Sequence, residues 1–274
     1  MVRFVHETVS AQELNGSSTH PQVLALGLPR CATSSLQAAL ETLGFTPCMH
    51  MAHVQPSAER QRLVTAAAQE KDTTKRRKIL SQLFAGFAAT ADFPSITFAD
   101  DLMDLYPDAA IVLNVRSGGA ASWYTSFSEG LRFFDSWLFW VATFLVRSDR
   151  AMMGMMKAVD DLYMERWGLT FRDQPIYDKH NEWVRDEARK RGRKILEFKA
   201  EDGWQPICEL LGIKTPRTPY PRINDQKTMK MVKRFIIGRG LLHWVGLFVV
   251  LWVMMHVGVM LPQSGVSFVK AENV

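Results

Sequence analysis

The sequence predicts an α/β fold with a parallel sheet, followed near its far end by one membrane-spanning helix. Three observations carry this. Short apolar runs with strand character recur between long stretches of helical periodicity. The first run passes through a glycine-containing turn straight into a helix, and residues 241–261 hold no Asp, Glu, Lys or Arg. Strands separated by helices point to parallel pairing, because a parallel neighbour is reached only by a crossover. The chain has 274 residues, 47% of them apolar, enough for one globular domain with a sizeable core.

Taken in order, residues 1–20 read as a leader without the apolar region of a secretory signal. The run QVLALGL at 22–28 suits a buried parallel strand. The segment ATSSLQAALETLGF then carries Leu36, Ala39, Leu40 and Leu43 at helical spacing and stops at Gly44, a natural helix terminator. Two further strands are predicted at 109–117 (AAIVLNVRS) and 193–202 (RKILEFKAED). Residues 214–225, KTPRTPYPRIND, are punctuated by proline and form a strap that closes a domain over 21–225. A basic linker over 226–240 leads into the apolar span 241–261 and a short tail over 262–274.

About 20 apolar residues cross the hydrocarbon core as a helix, so the 21-residue span is long enough. The alternative is a buried core helix. Five Lys or Arg from Lys227 to Arg239 precede the span, against Lys270 alone beyond it, which puts the main domain on the cytosolic side. The expected location is a membrane, the endoplasmic reticulum, with a single C-terminal anchor. A second apolar run, Phe133 to Val146, has 14 residues and includes Asp135; it reads as a core helix, an interfacial helix or a pocket wall. The methionines at 152, 153, 155 and 156 are adaptable apolar surface or core filler.

The formal charge is +5, with basic clusters at 185–194 and 227–239 that read as solvated helix faces or a surface facing anionic lipid. No nucleic-acid-binding module accompanies them, so nucleic acid is not an expected partner. Three cysteines without ligand spacing argue against a disulfide framework and a metal site, and for a reducing compartment.

The turn GLPRCATSS precedes a helix N-terminus, where free backbone N–H groups and the helix dipole favour an anion. Against the nucleotide-binding pattern G-x-x-x-x-G-K-[ST], Gly27 and Ser34 match, Ala32 replaces glycine and Thr33 replaces lysine. The lost lysine argues against an ATP or GTP hydrolase. A cation stands earlier in the loop, at Arg30. The order Pro29, Arg30, Cys31, Ala32, Thr33, Ser34 resembles the 5′-phosphosulfate loop P-[KR]-x-G-T-[ST] of sulfotransferases, and residues 27–51 are similar to the start of the fungal sulfotransferase-like family of P-loop proteins.

The resemblance covers about residues 20–225 and implies a three-layer P-loop fold. It implies 3′-phosphoadenylyl sulfate as sulfuryl donor, no metal, and a small hydroxylated acceptor. The loop would grip the 5′-phosphate, with Arg30 stabilising the leaving phosphate. Ala32 departs from the pattern and is strained wherever the turn needs a positive φ. Arg116 would hold the 3′-phosphate with Ser122 or Ser126; the family's usual serine position is Tyr124 here. Asp92, two residues before Pro94 and 24 before Arg116, is either the general base or a turn cap. His50 shares base duty, contacts substrate, or is simply packed and hydrogen-bonded. Asp202, Gly203 and Trp204 match the family's D-G-W element, with Trp204 in a packing role.

The expected function is therefore sulfuryl transfer to a lipophilic small molecule, in secondary metabolism, at a membrane and without an expected protein partner. Two alternatives stay open at this point. One is an inactive membrane-tethered nucleotide-binding or scaffold protein; the other is a repurposed fold that dehydrates or cyclises a hydrophobic metabolite.

Overall fold

The computed structural model describes residues 19–223 and 225–260; the leader before Thr19, Leu261 and the tail over 262–274 lie outside the described residues. The sheet holds five strands: β1 (Val23–Ala25), β2 (Cys48–Met49), β3 (Ala89–Ala91), β4 (Ala110–Asn114) and β5 (Ile195–Phe198). All pairings are parallel, in the order β2-β3-β1-β4-β5. The three predicted strands are β1, β4 and β5, each shorter than its apolar run because the ends leave the ladder as loops. β2 and β3 were not predicted. They have only two and three residues, Cys-Met and Ala-Thr-Ala, so they owe their strand state to pairing with neighbours rather than to local preference.

Side chains alternate across the sheet and sort into two cores. Val23 and Ala25 join Val112, Phe198, Leu36 and Leu40 on one face. That face is covered by α1 (Thr33–Thr42) and α10 (Gln205–Leu211). Leu24 and Leu26 join Ile111, Leu113 and the larger cluster on the other. Helices α3 (Ala58–Gln69), α4 (Thr73–Phe84), α5 (Ala99–Leu105), α8 (Arg147–Trp167) and α9 (Ile176–Lys190) cover that second face, with the one-turn α2 (Met51–Val54) between β2 and α3. Two covered faces leave β1 wholly apolar, as its sequence anticipated. Helix α1 ends at Thr42 with Leu43 as its C-cap, and Gly44 adopts φ 98°, the left-handed residue that closes a helix.

The 133–146 run is not a core helix. A 3-10 turn over Arg132–Asp135 is broken at Ser136, whose hydroxyl caps α7 (Trp137–Thr143) by accepting from the Phe139 amide at 3.2 Å. Within α7 only Phe139 and Thr143 are buried. It comes after α6 (Gly119–Leu131) and packs against α11 (Asp225–Met260), which is one continuous helix of 36 residues. The basic segment 226–240, read as a linker, is thus the first part of that helix, and its Val232 and Ile236 pack on Phe139. Beyond it the apolar residues face outward, Leu242 at 72% exposure and Phe248 at 62%, which excludes the core-helix reading. From Met229 to His256 the helix is long and apolar enough to cross a membrane. The proline-rich strap is pinned back on the domain: the Thr218 carbonyl accepts from Trp204 Nε1 at 2.7 Å, and the Ile223 amide donates to Ser35 Oγ at 3.0 Å. Trp204 is buried against Tyr220 and Cys208, the packing role anticipated for it.

His180, wholly buried on α9, sits 2.7 Å by its Nε2 from the Leu26 carbonyl at the end of β1. Burial pushes its pKa down from 6.5 to about 4, so the ring is neutral and Nε2–H donates. A depressed histidine pKa means that the unfolded chain binds the proton first. Stability is full above pH 6.5 and falls, by about 1.4 kcal/mol per pH unit at most, down to about pH 4. Thermal unfolding of the full chain in detergent should show that slope. His180→Gln, which keeps an N–H for Leu26, should lower stability at neutral pH yet lessen the slope; an unchanged slope would show that another group carries it.

Candidate active site

The loop between β1 and α1 takes its shape from a close approach. A Cβ on Gly27 would lie 1.9 Å from the Asn114 carbonyl oxygen, so only glycine lets β1 and β4 leave the sheet side by side. The Gly27 amide donates to Asn114 Oδ1 at 3.0 Å, and Asn114 Nδ2 donates to the Cys31 carbonyl at 3.0 Å. One side chain closes the loop at both ends. Trp123 Nε1 donates to the Pro29 carbonyl at 2.8 Å, and Arg116 Nη1 to the Arg30 carbonyl at 2.7 Å. Three successive loop carbonyls are therefore engaged by side chains from β4, from the turn just beyond it and from α6. The first-turn amides of α1 have no acceptor within the helix, and Ala32 before them offers no side-chain cap.

Arg30 (φ 72°), Ala32 (φ 56°) and Asp92 (φ 71°) are the three non-glycine residues with positive φ among the described residues. All three belong to this site. The strain anticipated at Ala32 is present: its left-handed backbone costs about 1–2 kcal/mol relative to an ordinary conformation. A left-handed residue set directly before a helix N-terminus is the kind of backbone pattern from which anion nests are built. Strain gathered at one concave place is itself a pointer to function.

The two arginines each take a serine. Arg116 Nε donates to Ser122 Oγ at 2.9 Å, and Arg30 Nε donates to Ser126 Oγ at 3.2 Å. Each arginine thus has one serine partner, both on α6. Tyr177 OH accepts from the Arg116 amide at 3.0 Å, fixing the strand end. A Cβ on Gly130 would come within 3.3 Å of Arg30 Nε, so the fourth turn of α6 is bare where that side chain runs. Cys31 is buried and burial raises its thiol pKa; it serves the loop through its backbone, the amide donating to the Leu28 carbonyl at 3.2 Å and the carbonyl accepting from Asn114.

Across the loop, His50 caps α2 by accepting from the Ala52 amide through Nδ1 at 3.3 Å. That bond puts the imidazole proton on Nε2, assigned from its partners. Nε2 lies 3.3 Å from Asp92 Oδ2 and 3.3 Å from Thr33 Oγ1. The Asp92 carbonyl accepts from Ser95 Oγ at 2.6 Å, and its carboxylate faces His50. Both are buried, at 4% and 5% exposure.

A cavity of about 710 Å³ joins these groups. Pro29, Arg30, Thr33, Ser34, His50 and Asp92 line its inner end; Phe134, Phe139, the methionines at 152, 153 and 156 and Val232 of α11 line the outer walls. Met155 instead points into the core. On the wall, buried Asp149 pairs with Arg239 of α11 at 2.7 Å, and burial raises its pKa against that partner's pull. Among the described residues no group of three or more His, Cys, Asp or Glu is placed to hold a metal ion.

Asn114, Trp123, Gly130 and Tyr177 were not singled out from the sequence. Asn114 could have been, as the one polar residue in the strand AIVLN, two residues before Arg116. The others are separated from the loop by about a hundred residues or more and carry no local signal.

A family model described as a sulfotransferase domain matches residues 22–229. The chain is also similar to Ava biosynthesis cluster protein M of Aspergillus versicolor, 27% identical over 215 residues, covering 74% of this chain and 80% of the relative.

Replacing the left-handed alanine tests the loop geometry. Ala32→Gly relieves the Cβ strain and should stabilise the folded protein by about 1 kcal/mol, raising the melting temperature by about 2–4 °C. A fall in melting temperature would show that the turn does not hold residue 32 at positive φ.

Proposed function

The chain belongs to the sulfotransferase domain family, and from that premise we propose that it transfers a sulfuryl group from 3′-phosphoadenylyl sulfate to a hydroxyl of a lipophilic small molecule. The observation that carries this reading is the joining of two arginine–serine pairs, Arg30 with Ser126 and Arg116 with Ser122, through the Arg116–Arg30 carbonyl bond. Two cations spaced by one loop suit a donor with two separate phosphates, and an apolar cavity running outward from them suits a lipophilic acceptor. The relative's name refers to a biosynthesis cluster, which supports a role in secondary metabolism.

In this reading the amides at the start of α1, with Thr33, Ser34 and Arg30, hold the 5′-phosphate end of the donor, while Arg116 and Ser122 hold the 3′-phosphate. The acceptor oxygen attacks sulfur, the bond from sulfur to the phosphate oxygen breaks, and the guanidinium of Arg30 stabilises charge on that oxygen. The acceptor proton goes to Asp92. Its carboxylate is the acceptor of the pair, since the His50 proton on Nε2 already faces it and Nδ1 is taken by the Ala52 amide. His50 orients Asp92 and stabilises its charge. α11 anchors the enzyme in a membrane, with the domain on the cytosolic side, favoured by the Lys and Arg between 227 and 239.

Calorimetry of the full chain in detergent with adenosine 3′,5′-bisphosphate tests the donor site. Arg116→Ala should weaken binding by about 10- to 100-fold, the worth of a charge-assisted hydrogen bond. Tighter binding of ATP with Mg²⁺ than of the bisphosphate would overturn the reading. With labelled donor and a lipid extract, Arg30→Ala should lose about 10²–10³-fold in turnover. Asp92→Asn should lose about 10²–10⁴-fold while keeping bisphosphate affinity, and full turnover in that variant would remove Asp92 as the base.

A further inference from the structure

Helix α7 wears its apolar side outward. Trp137 is 71% exposed and Leu138 59%, and Trp140, Val141 and Phe144 complete the same surface. A monomer in water does not stabilise such a face, and nothing within the described residues covers it.

Its neighbour supplies the context. Phe139 packs on Val232 and Ile236 of α11, and further along the Val141 carbonyl accepts from Trp244 Nε1 at 2.8 Å. A Cβ on Gly240 would lie 2.2 Å from the Ala142 carbonyl oxygen, so the two backbones touch there. α7 therefore runs alongside α11 in the same direction, and its last turn lies level with Gly240 to Trp244, where the charge-free stretch of α11 begins. Cations flank that level: Arg147 and Arg150 at the start of α8, and Lys230 and Arg234 on α11, all exposed. Arg150 holds the Phe144 carbonyl, with its guanidinium 5.6 Å from the Phe144 ring centre. Aromatic residues beside a rim of Lys and Arg match an anionic headgroup layer over acyl chains.

We infer that α7 is a second membrane contact, seated at the headgroup–acyl boundary of an anionic bilayer beside the anchor helix. Trp137 and Trp140 also line the cavity, so its mouth opens onto that layer. This sets the acceptor class: hydroxylated compounds that partition into lipid and reach Asp92 from the bilayer. The inference rests on reading α11 as a membrane anchor, and the test separates the two.

The native cysteines, Cys31, Cys48 and Cys208, are buried, so introduced cysteines can carry a nitroxide label. The full chain would be labelled in turn at Leu138→Cys, Val141→Cys, Phe248→Cys and Asp108→Cys, and reconstituted in nanodiscs containing phosphatidylserine. Adenosine 3′,5′-bisphosphate binding checks the fold of each. Asp108, exposed just before β4, lies at the end of the sheet opposite the loop and reports the aqueous side. Collision with oxygen against a water-soluble nickel chelate gives depth. Labels at 138 and 141 should favour oxygen several-fold over the label at 108. Should both behave like 108 while 248 is lipid-exposed, the contact proposal fails and the anchor stands. If 248 is aqueous as well, both fail. If one of the two α7 variants does not fold, the other decides.

Discussion

The side-chain amide of Asn114 bridges the two ends of the loop after β1, accepting from Gly27 and donating to Cys31, and the rest of the site is built outward from that bridge. The bridge requires β1 and β4 to be neighbours, which the strand order provides. β1 connects toward β2 on one side and β4 toward β5 on the other, so their carboxyl ends diverge into a crevice. The loop sits there because it is where the sheet leaves room. Gly27 is the consequence, since any side chain at that point would overlap the Asn114 backbone.

With the loop carbonyls held by Asn114, Trp123 and Arg116, the energetic burden falls on backbone conformation. Arg30 and Ala32 are left-handed, at about 1–2 kcal/mol each. Each engaged carbonyl returns about 1 kcal/mol, more where the donor is charged. The strain is thus sustained by hydrogen bonds from β4, the turn beyond it and α6. Asp92, also left-handed, is a residue that tolerates this backbone, and there it presents its carboxylate to His50.

Helix α11 joins two environments. Its first turns pack on α7 and lend Val232 and Arg239 to the cavity wall and its neighbourhood; its later turns expose apolar residues on every side. A uniformly apolar surface has no favoured face toward the domain, so what fixes the helix is its basic half. Arg239 on buried Asp149, Gly240 against Ala142 and Trp244 on the Val141 carbonyl hold it before the helix leaves the domain behind.

What the sequence determined by itself is local. The glycine turn with its arginine, the period of α1 and its stop at Gly44, the apolar strands β1, β4 and β5, and the charge-free span are each written within a few residues of one another, where steric and hydrophobic rules act directly. Tertiary structure decided the rest. β2 and β3 are too short to signal themselves and exist through pairing. The apolar run at 133–146 looked like core material, yet Ser136 breaks it and most of its bulk faces outward, because burial depends on what packs above a helix. Asp92 and His50 were each legible as candidates, but their meeting, like the sharing of Ser122 and Ser126 between two arginines, depends on side chains separated by 6 to 96 positions being brought within 3.3 Å. Such distances are set by sheet order and helix packing, which no stretch of neighbouring residues encodes.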